Sequence, residues 1–375
     1  MPDGRLHRPA EDRYREELEL LALADVGAPK PPGWRLSPRA VQAFVCGTAG
    51  PLPLPDGRTL EVKPKFEGSR DIVEAAIATL ASDRALLLVG PPGTAKSMLS
   101  EWLSAAICGD SRLIVQGSAG VTEDHVRYSW NYALLLKEGP VPAALKPSPV
   151  LQAMQEGRIA RLEEMTRCVS EVQDALISIL SEKELAITEM DNRVVAAQRG
   201  FNVIATANTA DKGVHEMSSA LKRRFNFVNV PPVGDLATEI AIVKRRTEEL
   251  MADHSVAADL PEELVRSLVT LYAELRNPRS NPTARRVSGE VSSAQLISTL
   301  FDGALRAAYF GARTVTAAEL SRSIASSFRA EPPAELTALL ETISQVDAGR
   351  HRGNPGLVTL VEMLRGQLGV PAAAR

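Results

Sequence analysis

Short apolar runs and amphipathic stretches alternate through the middle of the chain, and only amphipathic stretches continue to its end. The runs at 85–90 (ALLLVG), 112–116 (RLIVQ), 158–162 (RIARL), 201–207 (FNVIATA) and 226–230 (NFVNV) have the length and continuity of buried parallel strands. A helical stretch at 67–81 (EGSRDIVEAAIATLA) precedes the first run, another helix begins at Ser97, and helices separate most of the others. This alternation predicts an α/β domain: a parallel sheet covered on both faces. After Pro231-Pro232 the strand signal stops. Helical spacing then fills 235–251, 261–276, 287–310, 316–329, 333–347 and 356–368, which predicts a second, all-helical domain. Ahead of the sheet, 11–24 (EDRYREELELLALA) carries apolar residues at helical spacing behind an acidic first turn, and Pro/Gly punctuation follows at 27–33 and 47–57. The expected division is an N-terminal helical extension at 1–62, an αβα domain at 63–232, a helical domain at 233–330 and a C-terminal helical tail at 331–375. No internal repeat or low-complexity tract is present.

Composition narrows the function classes. The 375 residues are 45% hydrophobic and 24% charged, which excludes a disordered, collagen-like or disulfide-scaffold chain. With 4% aromatic residues and a formal net charge of −3, the chain is neither a base-stacking platform nor a basic nucleic-acid binder as a whole. Cys46, Cys108 and Cys168 form no C-x-x-C pair, and His7, His125, His215, His254 and His351 show no metal-ligand spacing. The N-terminus lacks an apolar signal region and no run approaches 18 apolar residues. A cytoplasmic protein without a membrane span is expected.

The sharpest motif is Gly90-Pro91-Pro92-Gly93-Thr94-Ala95-Lys96-Ser97, between a predicted strand and a predicted helix. Glycines let a backbone wrap phosphate oxygens with its N–H groups inward, and the helix N-terminus adds its dipole. Lys96 would neutralise β- and γ-phosphates and the Ser97 hydroxyl would bind Mg²⁺. Ala95 stands where the strict pattern has its last glycine, and it can serve there if its φ/ψ are already helical. The competing explanation is a Gly/Pro turn that happens to precede Lys-Ser. With its Ala-Lys, the octapeptide resembles the MoxR branch of the AAA+ ATPases, nearest the NorQ/CbbQ/GvpN-like members. Further motifs in matching order extend the resemblance over about residues 63–300.

Glu163 and Glu164 close the run RIARLEE. A nucleotide hydrolase needs a carboxylate near Mg²⁺ and a base for the attacking water. The resemblance gives Glu163 the metal side, with Ser97, and Glu164 the water. Glu163 departs from the family's usual Asp and reaches one methylene further. Residues 185–197 (LAITEMDNRVVAA) read as a hairpin around Asp191-Asn192, which the resemblance aims at a central pore. Asn208 resembles the sensor-1 residue, Arg224 takes the arginine-finger position with Arg223 beside it, and Arg285, followed by Arg286, resembles sensor 2. The nucleotide is expected to touch Gly90, Pro91, Pro92, Gly93, Thr94, Ala95, Lys96, Ser97 and Met98. Arg167 and His125 receive no role.

The resemblance implies an AAA+ module with a five-stranded, doubly wound sheet of order 5-1-4-3-2 and a helical lid. It further implies a Mg²⁺-dependent ATPase that remodels protein clients as a homo-oligomeric ring, commonly a hexamer, with a von Willebrand A-domain partner. Two alternatives stay open. One is a nucleic-acid motor or loader, whose best feature is 276–286 (RNPRSNPTARR). The other is a slow nucleotide switch, as Ala95 and Glu163 would allow.

Overall fold

The structure, a computed structural model, describes residues 8–208, 215–276, 291–329, 339 and 354–369. Five parallel strands form the central sheet: β1 (Ala85–Gly90), β2 (Ile114–Gln116), β3 (Ile159–Glu163), β4 (Asn202–Asn208) and β5 (Phe225–Asn229). Their order is 5-1-4-3-2, as expected. Each of the five predicted runs is a strand, displaced by no more than two residues at either end.

Successive strand residues face opposite sides, and the apolar ones divide accordingly into two cores. Ala85 and Leu87 of β1, Ala160 and Leu162 of β3 and Val203 and Ala205 of β4 share one cluster with Val150, Met154 and Leu176. Leu86, Leu88, Ile159 and Ile204 share the other with Leu99 and Leu103 of the helix Lys96–Cys108. Both faces are covered, which is why β1 and β4 read as almost unbroken apolar runs.

The second cluster also takes in Leu18, Leu21, Trp34, Phe44 and Val45. The N-terminal stretch therefore packs its apolar residues into the core under the sheet. Its predicted single helix is two, Ala10–Arg13 and Arg15–Ala24, interrupted at Tyr14 (φ −110°, ψ 27°). The region read as punctuation holds a helix, Pro38–Cys46, and a hairpin of two-residue strands, Leu52–Pro53 with Thr59–Leu60. Between β2 and β3 a second small hairpin, Tyr128–Trp130 with Leu145–Pro147, encloses the helix Tyr132–Glu138. Strands of two or three residues are too short to show a period, so no pattern announced them.

The chain divides into two compact units, Met1–Pro91 with Ala95–Val230, and Pro231–Arg375 with Pro92–Thr94. The described part of the second unit is built on helices Leu236–Asp253, Glu262–Arg276, Ser293–Phe310, Ala317–Arg329 and Pro355–Leu368. They bury Val243, Leu271, Tyr272, Leu300, Ile324, Phe328 and Leu360 in one core. The predicted helix at 333–347 lies outside the described residues, apart from residue 339, as does the start of the one expected at 287–310. Among the described residues no helix is long and apolar enough to cross a membrane.

Phe44 is fully buried, with Tyr14 edge-on at 5.7 Å and the Lys65 ammonium 4.1 Å from its ring centre. Phe44→Ala should destabilise the sheet unit by about 3–5 kcal/mol. Urea unfolding read by far-ultraviolet circular dichroism measures this. A loss below ~1 kcal/mol would mean that the N-terminal stretch adds little to that core.

Candidate active site

The carboxyl ends of β1, β3 and β4 lie side by side, and Asn208, the last residue of β4, pairs with Gly90, the last of β1. Crevices outside strand carboxyl ends are where open α/β sheets bind ligands. From Gly90 the chain turns through the loop and enters the helix Lys96–Cys108. Gly93 has φ 75°, as a wrapping loop requires. Ala95 does not meet the condition of right-handed helical φ/ψ under which an alanine would serve without strain. It is left-handed, at φ 63° and ψ 23°, and a Cβ in that region costs about 1–2 kcal/mol. Ala95 offers no side-chain cap to the helix, and the dipole at a helix N-terminus favours an anion.

Lys96 is 6% exposed and donates to the carbonyl oxygens of Gly90 (2.9 Å) and Pro91 (2.7 Å). Its ammonium is thus held against the loop's own backbone. Met98 is partly buried and packs against the core that includes Leu99 and Leu103.

Glu163 is 3% exposed and accepts four hydrogen bonds. Ser97 and Thr206 hydroxyls donate to Oε2 at 2.6 and 2.8 Å, and the Ser100 hydroxyl and Arg161 guanidinium donate to Oε1 at 2.6 and 2.9 Å. Burial pushes the carboxyl pKa up. The Arg161 charge and the Ser100, Ser97 and Thr206 hydroxyls more than offset that and hold it below the ordinary glutamate value.

Glu164 points elsewhere because its backbone is left-handed, at φ 53° and ψ 43°. Its N–H donates to Thr206 Oγ1 (2.9 Å), so a single hydroxyl ties down both acidic residues. Its Oε2 pairs with Arg167 Nε at 2.9 Å, and the carboxylate is partly exposed. Gly117, at the end of β2, presses on this turn. Its N–H donates to the Glu163 carbonyl at 2.7 Å, and a Cβ there would stand 2.3 Å from the Glu164 carbonyl oxygen.

The arginines lie at the other end of the sheet. Phe225 pairs with Ala85, the first residue of β1, so Arg223 and Arg224 sit about 16 Å from Gly90 at ~3.3 Å per strand residue. Arg224 is half-buried and donates to Ser181 Oγ (2.5 Å) and the Ala220 carbonyl (2.6 Å). Arg223 is exposed, and Arg84 donates to its carbonyl at 2.8 Å. The structure does not bring either to the phosphate loop of its own chain. Arg285 and Arg286 lie outside the described residues.

The expected hairpin is Glu184–Ile187 with Arg193–Ala196, and Asp191 and Asn192 both have positive φ at its tip. Its Glu189 accepts from Tyr128 Oη (2.8 Å) and Trp130 Nε1 (3.3 Å), which fastens it to the other small hairpin.

Sequence reading missed Arg161, Ser100 and Thr206. Each carries a signal in retrospect. Arg161 and Thr206 are polar residues on the sheet face where Ile159 and Ile204 are apolar, and Ser100 follows Ser97 by three, on the same side of the helix.

Among the described residues no group of three or more His, Cys, Asp or Glu could hold a metal ion. Magnesium needs less, since it binds through one or two protein oxygens and takes the rest from phosphates and water. The Ser97 hydroxyl and Glu163 carboxylate fit such a site. The cysteines are free thiols with pKa values raised by burial, Cys46 to about 11, which argues against thiolate chemistry.

Residues 85–225 match the family described as "AAA domain (dynein-related subfamily)". The chain is 40% identical over 322 residues to the uncharacterized protein YehL of Escherichia coli (strain K12), covering 85% of this chain and 86% of that one. It is 27% identical over 239 residues to the uncharacterized protein YojN of Bacillus subtilis (strain 168), covering 64% and 72%. Among solved structures, NtrX from Brucella abortus in complex with ADP superposes with a TM-score of 0.50 at 13% identity, covering 82% of this chain and 67% of that one. That likeness is one of fold.

The left-handed Ala95 gives a test of the loop. Ala95→Gly should raise the stability of the nucleotide-free protein by about 1 kcal/mol, the Cβ strain removed less the extra unfolded-state entropy of glycine. Thermal melts of both proteins decide it. A loss of similar size would put Ala95 in the right-handed region.

Proposed function

Because the chain belongs to the AAA domain family, dynein-related subfamily, we propose that it hydrolyses ATP with Mg²⁺ and uses the cycle to remodel a protein client within a ring of identical subunits. One observation carries the reading: the Ser97 hydroxyl lies 2.6 Å from the buried Glu163 carboxylate at the mouth of the phosphate loop, with Glu164 turned outward on the next residue. Ser97 and Glu163 would hold the metal, which when bound would supply positive charge to the phosphate oxygens.

The chain's own residues do the rest. Lys96 exchanges two backbone carbonyls for the β- and γ-phosphates, a short swing for a long side chain. The dipole of the helix N-terminus favours the phosphate oxygens. Glu164 accepts the proton of the attacking water, and Arg167 on Oε2 leaves Oε1 for that role. Asn208, paired with Gly90, orients the water or the γ-phosphate. Arg224 supplies its charge to the site of a neighbouring subunit. Its distance from the phosphate loop of its own chain supports this. The hexamer and the von Willebrand A-domain partner rest on the MoxR resemblance, and the cytoplasmic setting on the three cysteines, which are free thiols.

A slow nucleotide switch is the second reading. The strained Ala95 and the four donors already on Glu163 favour it. The nucleic-acid reading loses one of its basic residues, because Arg276 pairs with the buried Glu239 at 2.6 Å.

Two experiments test the proposal. Glu164→Gln should retain ATP binding and lose at least about a hundredfold in turnover, since the amide keeps the size but cannot take a proton. Steady-state phosphate release and calorimetric ATP titration read the two quantities. A variant that turns over normally removes Glu164 from the base role, and a wild type with negligible turnover selects the switch. The ring is tested by mixing. Arg224→Ala subunits keep an intact phosphate loop, and Lys96→Ala subunits keep an intact finger. Each should be inactive alone, and together they should recover part of the ATPase activity. No recovery, with subunit exchange verified, argues against a site shared between subunits.

A further inference from the structure

Arg161 is a buried cation that the proposed mechanism does not use. It stands on β3 two residues before Glu163, on the same sheet face, and is 6% exposed. Its guanidinium reaches three segments. Nε donates to Ser100 Oγ, Nη1 to the Ser111 carbonyl, and Nη2 to both the Ser97 carbonyl and Glu163 Oε1, each at 2.9 Å. A carboxylate has about four lone-pair positions. Those of Glu163 are taken by Arg161 and Ser100 on Oε1 and by Ser97 and Thr206 on Oε2. Only Oε2 therefore faces Ser97. The extra methylene of a glutamate is used to seat Oε1 inward, on the guanidinium.

We infer that Arg161 is a positioning residue that acts as a built-in counter-cation for Glu163, keeping the carboxylate seated on Ser97 with or without Mg²⁺ and thereby setting how much Mg²⁺ the site requires. The inference rests on the Mg²⁺-nucleotide reading of the site. A guanidinium fixed behind a carboxylate neutralises it from the inside, so a divalent cation arriving from the outside meets a weakened negative charge. The same contact removes the need for a metal to keep Glu163 satisfied. Two consequences follow. The nucleotide-free protein should be stable without Mg²⁺, and removing the positive charge should make its stability depend on Mg²⁺.

The test compares wild type with Arg161→Met, which keeps the length and loses the charge, and with Arg161→Lys, which keeps the charge and loses the fork. Thermal unfolding of each nucleotide-free protein is followed across a MgCl₂ titration, with NaCl at matched ionic strength as control. Wild type should be insensitive to millimolar MgCl₂. Arg161→Met should melt roughly 6–20 °C lower, and MgCl₂ should restore part of the loss, whereas NaCl should not. Arg161→Lys should melt lower but respond to MgCl₂ as wild type does. In a second arm, calorimetric ADP titrations at several Mg²⁺ concentrations should show Arg161→Met reaching half its metal effect at about tenfold less Mg²⁺.

If Arg161→Met melts lower and MgCl₂ does no more for it than for wild type, Arg161 is a structural ion pair only and the inference fails. If Arg161→Met does not fold, Arg161→Gln, uncharged but able to hydrogen-bond Glu163, takes its place under the same criteria. A failure of the ATPase reading is distinguishable, because it would appear as absent nucleotide binding in wild type, while the MgCl₂ melts contain no nucleotide.

Discussion

A buried carboxylate must be fully partnered, and that requirement on Glu163 organises the site. Its donors come from three segments: Ser97 and Ser100 from the helix Lys96–Cys108, Arg161 from its own strand, and Thr206 from β4. Ser97 and Ser100 are three residues apart and share one side of the helix. Satisfying both oxygens therefore fixes the rotation of the helix over the sheet and its distance from β3. The phosphate loop, which leads into that helix, is placed relative to the acidic pair by the same bonds.

Two non-glycine residues in left-handed backbone flank this arrangement, Ala95 at the mouth of the helix and Glu164 just past β3. Such conformations persist only where the surroundings over-determine them. For Glu164 the surroundings are visible: Thr206 takes its N–H, Arg167 takes one carboxylate oxygen, and Gly117 closes on its carbonyl. The turn gives two consecutive acidic residues two different environments. One carboxylate is buried and fixed under the loop, while the other is directed outward and partly exposed.

The parallel sheet also separates the charges by its length. Strand carboxyl ends carry Gly90, Glu163 and Asn208, and the amino end of β5 carries Arg223 and Arg224. Because all five strands run the same way, their opposite ends cannot meet within one chain. The chain therefore carries Gly90 and the loop after it at one end of the strands and the two arginines at the other.

The sequence by itself determined the parallel strands to within two residues, the glycine-containing turn between β1 and the helix, the place of Glu163 and Glu164 at the end of β3, and the hairpin before β4. These are local properties: strands buried on both faces read as apolar runs, and a phosphate-binding turn needs glycines and a lysine at fixed offsets. The sequence did not announce the N-terminal stretch as part of the core, because Phe44 and Trp34 join the cluster that holds Leu86 and Leu88 of β1 only through packing between segments far apart in the chain. Nor did it mark Arg161, Ser100 and Thr206 as one cluster, or Ala95 as left-handed. A charged residue inside a short strand looks like an interruption until the fold supplies its partner. The tertiary structure alone decided which donors surround Glu163 and which way Glu164 turns, because both depend on bonds between strands and a helix more than 40 residues apart.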